Sequence, residues 1–167
     1  MASSPRSFAE RVRRNHALEH ATLHVLSREI PNLNVVGRSD WEGFVVYGEV
    51  PLRTLERAAH EGWERLRNGE VHLSVHPQCG TNLAVAGVLA GAAMLIGLLV
   101  SRDGRRRRWP LTALSVMGAV FLSAPLGPVV QRRLTTNPDM EGVFIAGVSQ
   151  VRGGRWPTYR VRIEHEG

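Results

Sequence analysis

Lysine is absent from this 167-residue chain: every one of its 21 basic residues is arginine, against 15 acidic ones, for a net charge of +6. A GC-rich genome produces such a bias. No nucleic-acid-binding motif accompanies the positive charge, so a nucleic-acid partner is not expected. The arginines are scattered except for Arg105–Arg108, which sit between two apolar runs and so mark a membrane boundary rather than a nucleic-acid patch. Cysteine is nearly absent too. A single one, Cys79, excludes an internal disulfide framework. The first residues are arginine-rich and carry no apolar core ahead of a cleavage site, so a secretory signal is not expected there. Charge is missing altogether from Leu83–Val100 and from Leu111–Val130. Each stretch approaches the ~20 apolar residues needed to cross a ~30 Å hydrocarbon core, and the short link between them predicts a transmembrane hairpin. Gly87 and Gly91 have the G-x-x-x-G spacing that lets helices approach closely, a route to homo-oligomers through the hairpin. Pro125 and Pro128 are expected to bend or end the second span.

What remains reads as a small α+β domain. Ser7-Phe8-Ala9-Glu10 fits a capping box, so a helix should begin near Phe8 and stop before Pro31. Two strands are expected next, Leu33–Val36 and Gly43–Val50, with a turn through Gly37, Ser39 and Asp40. Leu55, Ala58, Ala59, Trp63 and Leu66 recur at helical spacing and predict a second helix over 52–68. Val71–His76 alternates like a strand. Gln131–Glu141 is polar and loop-like, and Val143–Val151 with Thr158–His165 reads as a closing β-hairpin that turns through Gly153 and Gly154. The expected organisation is an N-terminal α+β part (1–82), the hairpin (83–130), and a C-terminal segment (131–167) that completes the domain. The fold class is therefore α+β, a small sheet with two helices, interrupted by a two-helix transmembrane hairpin.

Chemistry concentrates in two short clusters. His16-Ala17-Leu18-Glu19-His20 reads H-x-x-E-H, the zincin pattern with its order inverted. On a helix the two histidines lie one turn apart on one face, with Cβ atoms ~5–6 Å apart, close enough to share a metal ion. Glu19 beside them is the candidate general base. His24 continues the four-residue spacing but has drifted ~80° around the helix from position 16, which makes it a weaker ligand candidate. His76-Pro77-Gln78-Cys79 is the second cluster. A catalytic zinc site keeps three protein ligands and leaves one position open. Cys79, at a turn punctuated by proline and glycine, is favoured as the third ligand, with His76 as an alternative ligand or a group that orients one. Asp139 and Glu141 are acidic candidates after the second span. His60 and His72 are expected to be exposed, and Trp109 and Trp156 suit an interfacial or core role.

Taken together, the motifs resemble the YqhQ-type family of bacterial membrane proteins, a family of unknown function regarded as candidate metal-dependent enzymes. The resemblance rests on His16, Glu19 and His20; on His76, Pro77, Cys79, Gly80 and Thr81 running into an apolar span; and on Gln131, Leu134, Thr135, Thr136 and Pro138 after the second span. Ala17 and Leu18 stand where that family has Gly and Ala, Asn82 where it has a serine, and Arg133 adds a residue to the third motif. The chain is similar to a compact relative with one hairpin. The resemblance implies a shared metal-type site and no particular substrate.

These readings lead to one expectation: an integral membrane protein of the cell membrane with a zinc-dependent, hydrolase-like site near the bilayer surface. His16, His20 and Cys79 (or His76) would hold the zinc, and Glu19 would act as base. Two alternatives stand beside it, a closed structural or storage metal site using His16, His20, His76 and Cys79, and a metal-free membrane interaction module. The globular part is expected on the cytoplasmic side.

Overall fold

The computed structural model describes residues 7–100, 109–151 and 155–166. The expected arginine loop (Arg102, Arg105–Arg108) and the Gly153–Gly154 turn fall outside these residues. The chain divides into two compact units. One joins the residues up to His76 with those from Arg132 onward; the other is Pro77–Gln131.

The first unit is α+β. It opens with α1 (Phe8–Glu29), capped by Ser7, whose Oγ accepts the Glu10 N–H, as the capping box requires. Ile30 closes the helix, and its N–H donates to the Leu26 carbonyl. β1 (Val36–Asp40) and β2 (Gly43–Tyr47) follow as a hairpin, then α2 (Leu52–Arg67). β3 (Val143–Val151) and β4 (Thr158–His165) form the closing hairpin where the alternation placed them. The four strands make one antiparallel sheet in the order β1-β2-β4-β3.

Two expectations are corrected. The first strand is not Leu33–Val36. It is Val36–Asp40, and the turn is Trp41-Glu42, so Gly37, Ser39 and Asp40 lie in the strand. Small and polar residues are poor strand formers, but packing against neighbours outweighs propensity in a sheet. Gly37 pairs with Val46 and Ser39 with Phe44, on the side that faces the helices. The second correction concerns Val71–His76. Val71–Ser74 is a 3-10 turn in which the Leu73 N–H donates to Glu70 O and the Ser74 hydroxyl to Val71 O. These local bonds satisfy the backbone without a neighbouring strand.

The core lies between the two helices and one face of the sheet. Leu18, Leu26, Phe44, Val46, Leu55 and Val161 are fully buried there, each worth ~1.5–3 kcal/mol of transfer free energy. The helices meet through small residues: a Cβ on Gly62 would stand 3.0 Å from the Ala21 backbone. Trp63 ties α2 to the sheet by donating its indole N–H to Val143 O at 2.7 Å.

The second unit is a helical hairpin of α3 (Gly80–Val100) and α4 (Trp109–Val130). Gly97 packs on Thr112 and Gly127 on Asn82, so the helices run antiparallel. Both are long and apolar enough to cross a membrane, and large apolar side chains such as Leu83, Val88 and Phe121 are exposed. Pro125 and Pro128 do not end α4, which continues to Val130 and passes into a π-helical turn, Gln131–Thr135.

Candidate metal centre

In the first unit His16, His20 and His24 form a row along α1, and His76 comes up against it. Ring centroids are 4.3 Å apart for His16–His20, 5.7 Å for His20–His76 and 4.9 Å for His24–His76. Backbone carbonyls orient the rings. His16 Nδ1 lies 3.0 Å from Thr135 O, and His20 Nδ1 lies 2.7 Å from Ser74 O. A nitrogen facing a carbonyl must carry the proton, so in both rings Nδ1–H donates, and a neutral ring so held presents the lone pair of Nε2. This is how metal-ligating histidines are held. His24 is held the other way, with Nε2 donating to Val75 O at 2.8 Å. His16 and His20 offer ligand nitrogens within 4.8 Å of each other.

His20 is the most telling of these residues. It is 1% exposed, and among the described residues its buried Nε2 has no hydrogen-bond partner. A buried polar atom without a partner is rare and calls for a ligand, an ion or a water. Burial, reinforced by repulsion from His16, pushes the His20 pKa down to about 3. Burial, followed by the charge of His24, pushes His76 down to about 4. Both rings are therefore neutral at physiological pH, the form that binds metal.

Glu19 lies on the flank of α1 next to the histidine row, ~100° around the helix from His20. It is buried against β1, where it accepts a hydrogen bond from the Ser39 hydroxyl. A Cβ at position 37 would overlap its carboxylate, which explains glycine in the strand. Burial raises the Glu19 pKa above the ordinary carboxylate range, while the Ser39 bond and His16 pull it back. A buried carboxylate held by one neutral donor is a suitable proton acceptor.

The remaining candidates are placed as follows. Asp139 pairs with the buried Arg14, whose Nη1 also donates to Glu141 O. His60 and His72 are exposed, as expected. Cys79 belongs to the second unit, where it directly precedes α3. Its Sγ accepts the Thr81 N–H at 3.4 Å, and its carbonyl accepts the Asn82 N–H at 3.0 Å. Sequence reasoning missed the groups that orient the row: the carbonyls of Ser74 and Thr135, and the Gly37–Ser39 cradle for Glu19. Carbonyls belong to every residue and leave no signal in residue type. A glycine and a serine two positions apart, facing one side of a strand, was a legible hint for the cradle. Thr135 also carries a buried hydroxyl with no hydrogen-bond partner among the described residues.

No solved structure matches this chain. An uncharacterized protein of Picosynechococcus sp. is 35% identical over 144 residues, covering 75% of this chain, and the chain spans only 65% of that relative's length. The family model described as Domain of unknown function (DUF6391) matches residues 11–148, and the chain belongs to that family.

Proposed function

We propose that this DUF6391 member is an integral membrane protein that binds a divalent metal, with zinc the best match to its donors, and uses it for hydrolysis. His16, His20 and Cys79 are the residues we assign to hold such an ion. The observation that carries the reading is the buried, unpartnered Nε2 of His20, in a ring whose Nδ1 is fixed by the Ser74 carbonyl. Cys79 joins the pair on chemistry and chain distance: thiolate is a strong zinc ligand, and three residues beyond His76 span at most ~10 Å. His76, against the His20 ring, orients a ligand or replaces one. Because Cys79 immediately precedes α3, the site would lie near the bilayer surface, with the globular unit on the cytoplasmic side. The resemblance to the YqhQ-type motifs supports the same residues.

Bound zinc supplies Lewis acidity and lowers the pKa of water toward ~7. The protein does the rest. The carbonyls of Thr135 and Ser74 hold the imidazoles in the ligating tautomer. Ser39 and Gly37 hold Glu19 beside them, where its raised pKa suits it to take a proton from the attacking water and return it to the leaving group. A peptide or amide bond is the default substrate by analogy with inverted zincins.

The first test is metal content by mass spectrometry on the detergent-purified full chain, beside a His16→Ala/His20→Ala double variant. One zinc per chain, lost in the variant, is expected; no metal in either after reconstitution with zinc would leave a metal-free membrane module. The His20–His76 ring contact favours a second reading, a closed structural site with His16, His20, His76 and Cys79 all ligating. X-ray absorption separates the two, since four protein ligands and no water would exclude hydrolysis.

A further inference from the structure

Within the second unit, one polar side chain brackets the cysteine. Asn82 Nδ2 donates to Pro77 O at 2.7 Å, and the Asn82 backbone N–H donates to Cys79 O at 3.0 Å. The same residue therefore holds both ends of the Pro77–Cys79 segment. Asn82 is itself held, because Gln131 Nε2 donates to its Oδ1 at 2.6 Å. Gln131 is fully buried at the end of α4. Gly127, one turn earlier, makes the arrangement possible: a Cβ there would overlap Asn82 Oδ1. With two hydrogen bonds pinning the amide, that overlap could not be relieved by a rotation of Asn82. The Gln131–Asn82 bond is partly buried at the end of the helix pair, and the Asn82–Pro77 bond lies at its surface.

We propose that Asn82, clasped by Gln131 over Gly127, is a positioning residue that sets the direction of the Cys79 sulfur. Short bonds from one amide to residues 77 and 131, with a third from its own N–H to residue 79, fix the loop ahead of α3. From the first turn of α3 the Thr81 N–H meets Sγ. Asn82 thus does for the thiolate what the Ser74 and Thr135 carbonyls do for the imidazoles. It touches no substrate and acts only through the cysteine. The inference rests on the reading of Cys79 as a metal ligand.

Two measurements on the detergent-purified full chain test it. The first needs no metal: the rate at which iodoacetamide alkylates Cys79 after chelator treatment. Asn82→Ala should raise that rate about fivefold or more, the size of the one hydrogen bond it makes to the loop, at Pro77 O. Gln131→Ala should raise it less, and the double variant should add little to Asn82→Ala because the residues act as one unit. The second is cobalt titration. The thiolate-to-cobalt absorption band should be present in the native chain and absent in Cys79→Ser, and in Asn82→Ala it should need roughly tenfold more cobalt. Helix content by circular dichroism checks the fold; if Asn82→Ala fails to fold, Gln131→Ala carries the test. An alkylation rate unchanged in both variants overturns the clasp. A native chain that binds cobalt without the thiolate band overturns Cys79 ligation instead, and the alkylation rates still decide the clasp.

Discussion

Helices α1 and α3 are almost the same length, 22 and 21 residues, and are built on opposite principles. α1 buries Arg14, Asn15, Glu19, His20 and Thr22. Nearly every one is answered by a partner: Arg14 by Asp139, Asn15 by Asp40 O and His165, Glu19 by Ser39, Thr22 by Leu18 O. α3 carries no charge at all and exposes Leu83, Val88, Met94 and Leu99. Burying a polar group costs free energy unless it is paired, and leaving this much apolar surface in water costs free energy too. α1 is thus a helix folded in water against its own sheet, and α3 is a helix whose surface suits lipid. Among the described residues, α1 still leaves Arg13 Nε, Arg14 Nε and His20 Nε2 buried without a hydrogen-bond partner, and of these only His20 Nε2 can act as a metal ligand.

The sharpest way to break this contrast is to delete core volume from each helix. Leu18→Ala, at a fully buried position, should cost ~2–5 kcal/mol. Leu98→Ala on α3, 60% exposed, should change detergent stability by less than ~1 kcal/mol. Urea unfolding of the two variants makes the comparison, and equal losses would contradict the assignment of solvents. Next in size is a charge on α3. Val88→Arg, at a 71% exposed site, should oppose membrane insertion by ~2.5–3.5 kcal/mol, read as the fraction inserted into microsomes. Unchanged insertion would argue for an aqueous hairpin.

The histidine row gives a further test through pH. Folded His20 and His76 have pKa values of about 3 and about 4, below the unfolded value of 6.5. The unfolded chain therefore binds more protons between those limits. The stability from neutral rings is complete above pH 6.5 and is lost as pH falls toward the folded values. Melting temperatures of the chelated protein between pH 7 and 4.5 should show this fall, and His20→Phe should flatten it. A slope identical in native chain and variant would mean that His20 is not held neutral.

Much of the fold was legible. Period 3.6 gave α1 and α2, Ser7 marked the start of α1, and alternation placed β3 and β4, because long regular patterns report burial directly. The failures were short segments. Gly37, Ser39 and Asp40 read as a turn and lie in a strand, where Gly37 and Ser39 leave room for Glu19. Val71–His76 alternates like a strand, yet Val71–Ser74 coils into a 3-10 turn held by its own local bonds. For the candidate site, the histidines and Glu19 were visible as residue types at a helical spacing, but the carbonyls that hold them were not.

The sequence by itself determined which segments shun water, where α1 starts, and that His16 and His20 share a helix face, because these follow from local periodicity and side-chain chemistry. Only the tertiary structure decided which nitrogen of each ring keeps its lone pair, that His76 meets the row, and that Glu19 lies under β1. Those outcomes depend on backbone groups brought together from far along the chain, and a carbonyl carries no mark of its future partner until the fold supplies one.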